Sequence, residues 1–356
     1  MTASLRPTSS ASALHRRALV LDAHADTLTE MTDRGYDLDQ GLPGTHLDLP
    51  RCAGGALDAQ VFTCFVHPRY VPDRAADRVR AMLDTMDRQL ALFPDRLALC
   101  RGPGEIVAAR EAGRLAALLG IEGGHAIENS LDVLREFHGR GVRTMTLTWN
   151  NSNDWADGCG DHGPHGGLTD FGREVVAAME ELDMVVDISH VAPSTFDDVL
   201  AVARRPLIAS HSCARVLRDH PRNLHDHQLR ALAEQGGVAC VNFYSGFLVR
   251  EGPCALEHVL DHVMHFASVA GVEHVGLGSD FDGIPSAPDG LADVSELPRL
   301  TAGLLERGLD ESEITAVLGG NLLRIFDGAI PAAQSAKHVT DHPTGHPTAN
   351  PGAGPT

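Results

Sequence analysis

Histidines and carboxylates recur directly after short apolar runs in this chain, at positions that would suit metal chemistry. His24-Ala25-Asp26 follows one run, Glu122-Gly123-Gly124-His125 another, and His190 and His211 each close a further one. His24 and Asp26 stand two apart, so on an extended chain both side chains project to the same side as a ready half-site. The two glycines after Glu122 let the backbone turn sharply beside a ligand. Each feature alone has a bland reading: a lone buried histidine is more often a satisfied core residue, and a carboxylate before glycines caps a turn. Together, His24, Asp26, Glu122, His190 and His211 supply three imidazoles and two carboxylates, a mixed N/O set suited to zinc, with manganese or cobalt compatible. Five donors exceed one tetrahedral site, so the set implies two metal ions with a carboxylate as bridge.

Such residues need elements that bring them to one place. Short β-branched runs at 18–25, 59–66, 115–121, 142–148, 184–189, 206–210, 238–243 and 274–278 read as strands. Helical patterns such as 73–92, 131–138, 171–182, 193–203 and 256–270 alternate with them. Alternation of this kind predicts parallel strands joined by crossover helices, and eight units predict an α/β fold of the (β/α)8 TIM-barrel type. The unusual polar residues, with Trp149-Asn150, Tyr244 and Asp280-Phe281-Asp282-Gly283, all fall at the carboxyl ends of these runs, the face where barrels place their chemistry. A doubly wound sheet is disfavoured, because no GxGxxG follows the first run. Gly158–Gly167 reads as a candidate lid, Asp282 as a turn cap and Asn321 as a helix cap.

Composition narrows the chemistry. A net charge of −19 argues against nucleic acid and against an anionic membrane surface. The single lysine, Lys337, lies near the C-terminus, which removes P-loop and Schiff-base chemistry from the body of the chain. Seven dispersed cysteines read as reduced thiols of a cytoplasmic protein, and the N-terminus offers no apolar leader. The chain is expected to divide into an N-terminal extension (1–17), a hydrolase barrel (18–330) and a disordered tail (331–356) that carries His338, His342 and His346.

At these residues the chain resembles the membrane (renal) dipeptidase family of zinc metallopeptidases, within the amidohydrolase-like superfamily. The likeness runs in order through Asp22-Ala23-His24-Ala25-Asp26, Glu122-Gly123-Gly124-His125, Trp155-Ala156-Asp157 and Asp187-Ile188-Ser189-His190. It continues through Ser210-His211-Ser212, Arg222-Asn223, Val241-Asn242-Phe243-Tyr244 and Gly278-Ser279-Asp280-Phe281-Asp282-Gly283. It implies a zinc-dependent dipeptidase in which His24 and Asp26 hold one zinc, His190 and His211 the other, and Glu122 bridges both. A metal-bridging hydroxide would attack the scissile carbonyl, Asp280 would carry the proton to the leaving amine, and Arg222 would pair with the substrate's C-terminal carboxylate. A D residue at the C-terminal position is allowed, and so is a homodimer.

One position departs from the animal members, which carry histidine after Thr-Leu-Thr. Here Trp149 and Asn150 follow Thr146-Leu147-Thr148. Trp149 cannot relay a proton, so carbonyl polarisation falls to metal or to Asn150, with Tyr244 as a further substrate contact. The alternative is a related hydrolase acting on a lactone, an N-acyl amino acid or a cyclic amide, for which a neutral substrate would make Arg222 superfluous. A catalytically silent binding protein is disfavoured, because all five donors and Asp280 are present.

Overall fold

The computed structural model describes residues 7–327. Its strands are β1 (Leu21–Ala25), β2 (Ala59–Phe65), β3 (Leu97–Leu99), β4 (Leu115–Glu122), β5 (Val142–Thr146), β6 (Val185–Asp187), β7 (Ile208–Ser212), β8 (Val238–Val241) and β9 (Val275–Leu277). β1 pairs with both β2 and β9, and β2 pairs with β4 from Ala59↔Ala116 to Phe65↔Glu122, which closes a parallel ring of eight. The expected TIM barrel is therefore the observed fold.

β3 is a ninth, short strand outside that ring. It pairs with the first half of β4, Leu97↔Leu115 to Leu99↔Ala117, and β5 takes over the same edge from Leu119 onward. The sequence reading missed β3 and the helix Pro103–Glu111 behind it, because a run of three residues is too short to show a period. The other strands lie where expected, and helices such as Ala75–Leu92, Leu131–Gly139 and Leu256–Ala270 match their patterns within two residues.

Alternation along the strands explains how a packed barrel carries a polar end. Val61, Leu118, Val185, Ile208 and Cys240 belong to one buried apolar cluster. Two residues further along, on the same side, stand Thr63, Gly120, Asp187, Ser210 and Asn242, all fully enclosed except for the site they line. At Gly120 a Cβ would meet Thr144 Oγ1 at 2.6 Å and Val61 at 3.1 Å, so only glycine lets the strands approach there.

Two buried carboxylates cut the ladder short on this face. Asp187 Oδ1 accepts from Ser189 N (2.9 Å) and Ser210 N (3.0 Å), while Asp22 Oδ1 accepts from Ser279 N (2.8 Å) and His24 N (3.3 Å). Ser189 N and Ser279 N stand just beyond β6 and β9, which accordingly end at Asp187 and Leu277, earlier than the runs to 189 and 278 predict.

The helix Ser9–Arg17 precedes the barrel and packs on the helix Leu297–Glu306. Its His15 bonds Thr301 Oγ1 (2.7 Å) and Gly55 O (2.8 Å). Asn321 opens the helix Asn321–Phe326 but does not cap it as expected: its amide donates to Val272 O and Val275 O, tying the helix to β9. The expected tail, with Lys337 and its three histidines, lies outside the described residues.

Candidate metal centre

Six of the residues singled out by sequence converge at the C-terminal mouth of the barrel. His24 extends from β1, Glu122 ends β4, His211 lies within β7, and Asp26, His190 and Asp280 stand in the turns after β1, β6 and β9. Glu122 is central. Its Oε1 lies 2.7 Å from His190 Nε2 and 3.4 Å from His211 Nε2, and its Oε2 lies 3.5 Å from His24 Nε2. His190 and His211 bring their Nε2 atoms within 2.8 Å of each other. His24 also faces Asp280 Oδ1 at 3.9 Å.

Local backbone conformations make this convergence. Gly123 adopts φ 99°, which releases the chain from β4 immediately after Glu122. A Cβ on Gly124 would strike Leu147 O and the Trp155 ring at 2.5 Å, so the second glycine is required by close approach. His190 (φ 70°) and Asp280 (φ 62°) occupy the left-handed region, which non-glycine residues enter at a cost and mainly at functional sites. Asp26 sits at the start of the helix Thr27–Arg34, yet its carboxylate caps no backbone N–H, so helix capping does not account for it.

All three imidazoles present the same nitrogen. The Nδ1 atoms face Thr63 Oγ1 (3.4 Å, His24), Asn150 Oδ1 (2.9 Å, His190) and Ser210 Oγ (2.8 Å, His211), which leaves every Nε2 directed inward. His24 Nε2 and Asp26 Oδ1 are buried with no hydrogen-bond partner. Lone pairs and carboxylate oxygens crowded this closely repel one another unless a cation lies among them. His24, Glu122 and His211 offer one set of donor atoms within 4.8 Å of one another, and His24, Asp26 and Asp280 a second. The residues thus fit divalent cations bound by N and O, zinc among them.

Electrostatics follow the same logic. Burial works against charge on Glu122, yet the surrounding imidazoles hold its pKa well below the usual carboxylate range. Burial pushes His190 down to about 3, keeping it neutral and able to ligate, and lowers His211 as well. Burial opposes charge on His24 too, but Glu122 overrides it and raises the imidazole to about 10. Asp280 is raised to about 6, chiefly by burial, and its Oδ2 accepts from Asn242 Nδ2 (2.9 Å).

A pocket of about 270 Å³ opens over these groups. Asp26, Glu122, His190 and Asp280 line it together with Phe65, Trp149, Arg222, Tyr244 and Phe247. The Trp149 ring lies 5.3 Å from Phe65, and Tyr244 meets Phe247 edge-on at 4.8 Å. Arg222 is 4% exposed, donates through Nη2 to His211 O (2.9 Å) and lies over Phe247 at 5.4 Å. Its Nε has no partner. Asn150 also borders the pocket, but its side-chain oxygen is committed to His190.

Sequence reasoning gave no role to Asp22, Asp187, Asn242 or Gly283. Each lies within a quoted motif, and each acts on backbone or carboxylate groups that a pattern does not expose. A Cβ on Gly283 would fall 2.2 Å from Asp26 Oδ2 and 2.5 Å from Asp280 Oδ1, so this glycine makes room for both carboxylates. Asp282 takes His46 N and Thr27 Oγ1, both at 2.5 Å, bracing the same turn. The Gly158–Gly167 loop is pinned by Asp157, which accepts from His165 N (3.1 Å) and Gly167 N (2.8 Å).

The sequence pattern of the membrane dipeptidase family, peptidase family M19, matches residues 8–339. An uncharacterised dipeptidase of Schizosaccharomyces pombe is 38% identical over 307 residues, covering 82% of this chain and 74% of its own. Dipeptidase verJ of Clonostachys rogersoniana is 37% identical over 303 residues, covering 82% and 78%. Among solved structures, a metallopeptidase of Rhodobacter sphaeroides, liganded with a phosphinate mimic of L-Ala-D-Ala, superimposes with a TM-score of 0.80 at 29% identity, covering 87% of this chain and 99% of that one.

Proposed function

Because the chain belongs to the membrane dipeptidase family, peptidase family M19, we propose that it hydrolyses the amide bond of free dipeptides, including those with a D residue at the C-terminal position. Two zinc ions would be held by His24 with Asp26 and by His190 with His211, with Glu122 shared, and would supply a water of lowered pKa and Lewis-acid polarisation of a carbonyl. The L-Ala-D-Ala mimic held by the Rhodobacter relative supports the stereochemical part of this reading.

The chain's own groups then divide the work. Asp280 Oδ1, left free by the Asn242 bond to Oδ2, accepts a proton and delivers it to the leaving amine. Arg222 carries the substrate assignment: a buried guanidinium lines the same pocket as Glu122 and Asp280 with its Nε unpartnered. Such a group matches a carboxylate, which a free dipeptide has and a neutral lactone lacks. Free thiols at all seven cysteines support a reducing, cytoplasmic setting, and no helix among the described residues is long and apolar enough to cross a membrane.

The test compares free with C-terminally amidated dipeptides, each in L,L and L,D forms. Amidation removes a charge-assisted bond of roughly 1.5–3 kcal/mol, so kcat/KM should fall about tenfold to a hundredfold. Arg222→Met should lose that discrimination. Equal turnover of blocked and free substrates by the wild type would return the assignment to a general amide or ester hydrolase. Elemental analysis decides the cofactor half: fewer than two equivalents, unrestored by zinc, would remove the dinuclear reading.

A further inference from the structure

We propose that Asn150 is a positioning residue for His190, holding that imidazole in the tautomer and orientation in which Nε2 can ligate a metal; this rests on the two-ion reading above. His190 stands after the shortest kind of barrel strand, in a left-handed conformation, and β6 alone does not fix its ring. Instead, the loop after β5 grips it twice. Cys159 N donates to His190 O (2.8 Å), and Asn150 Oδ1 accepts from His190 Nδ1 (2.9 Å).

Asn150 is itself locked in place. Its carbonyl accepts from Gly160 N (2.8 Å), and a Cβ on Gly160 would lie 2.6 Å from that oxygen, so the loop closes tightly on it. The other two imidazoles rest on hydroxyls, which can either donate or accept; an amide oxygen only accepts. The Nδ1 proton of His190 is therefore specified, and Nε2 is left bare beside Glu122. Trp149 and Asn150 both line the pocket, but the Trp149 ring lies against Phe65 (5.3 Å) whereas Asn150 Oδ1 turns to His190.

The experiment uses the zinc enzyme with a chromophoric chelator in competition, together with the visible spectrum of the cobalt form. Asn150→Leu should keep the apo melting temperature near that of the wild type. It should weaken one of two metal equivalents about tenfold to a hundredfold, the usual effect of losing a ligand's supporting partner. It should also shift the cobalt bands. Asn150→Asp keeps the acceptor and should hold both metals within a few-fold of the wild type. If Asn150→Leu binds both metals as tightly as the wild type, or if Asn150→Asp weakens them equally, the positioning role is overturned. Should Asn150→Leu fail to fold, Asn150→Ser, whose hydroxyl is too short to reach Nδ1, is read by the same criteria. A wild type that binds no metal would instead overturn the two-ion reading.

Discussion

All three imidazoles of this site turn Nε2 toward Glu122, and ordinary side chains support that arrangement: Thr63, Asn150 and Ser210 each occupy one Nδ1. The donors were legible in the sequence because His, Asp and Glu after apolar runs are costly unless used. The supports were not, because serine, threonine and asparagine are common in turns and their partners are distant in sequence. Asp280 separates the two roles a carboxylate can play here. If it moves protons and is not a required ligand, Asp280→Asn should retain two zinc equivalents while kcat falls at least about 100-fold. Loss of one equivalent in that variant would make Asp280 a ligand. Gly283 gives a steric counterpart: Gly283→Ala should displace Asp26 and Asp280 together, with kcat/KM down on the order of 10²-fold and zinc content reduced. Unchanged zinc content would show that the turn can shift aside.

At the scale of elements, the barrel was readable from alternating runs and the ends of its strands were not. Asp22 and Asp187 divert backbone donors from the ladder, an effect invisible to hydrophobic periodicity. The short β3 escaped for want of length. Between elements, His262 on the helix Leu256–Ala270 accepts from Ala214 N through Nδ1 (2.9 Å) and donates to Leu248 O through Nε2 (3.2 Å). The first bond needs the neutral ring, because a protonated Nδ1 cannot accept, and burial lowers the pKa from 6.5 to about 4. The unfolded chain therefore binds the extra proton first as the pH drops. The stabilisation is complete above about pH 6.5 and is lost as pH falls toward 4, about 3 kcal/mol in all. Urea midpoints at pH 7.5 and 5.0 test this. His262→Gln, which can still accept and donate, should be less stable at pH 7.5 yet lose less on acidification. An equal loss in both proteins would assign the acid sensitivity elsewhere.

The whole molecule separates chemistry from stability along the barrel axis. The candidate metal centre and its pocket occupy the C-terminal mouth, whereas the helix Ser9–Arg17 leads into the opposite end of β1. Sequence reading placed residues 1–17 outside the barrel, since a short segment does not show what its apolar positions pack against. Those positions are Ala11 and Leu14, which are buried, and beside them the ring of His15 spans Thr301 Oγ1 and Gly55 O. Arg110 adds Nη2 bonds to Arg17 O (2.8 Å) and Ala18 O (2.7 Å), clasping the helix from a second side. We propose that this helix is part of the folding unit. Replacing His15 by alanine strands two buried polar groups at roughly 1–3 kcal/mol each, which for a chain of this size is a drop of several degrees in melting temperature. Deleting residues 1–17 should cost more, because Leu14 leaves the core as well. Neither change touches the mouth, so kcat/KM measured well below the new melting temperature should stay within about twofold of the wild type. A deletion that melts like the wild type would return the segment to the status of an appendage, and one that loses activity while remaining folded would mean that the two ends of the barrel are coupled.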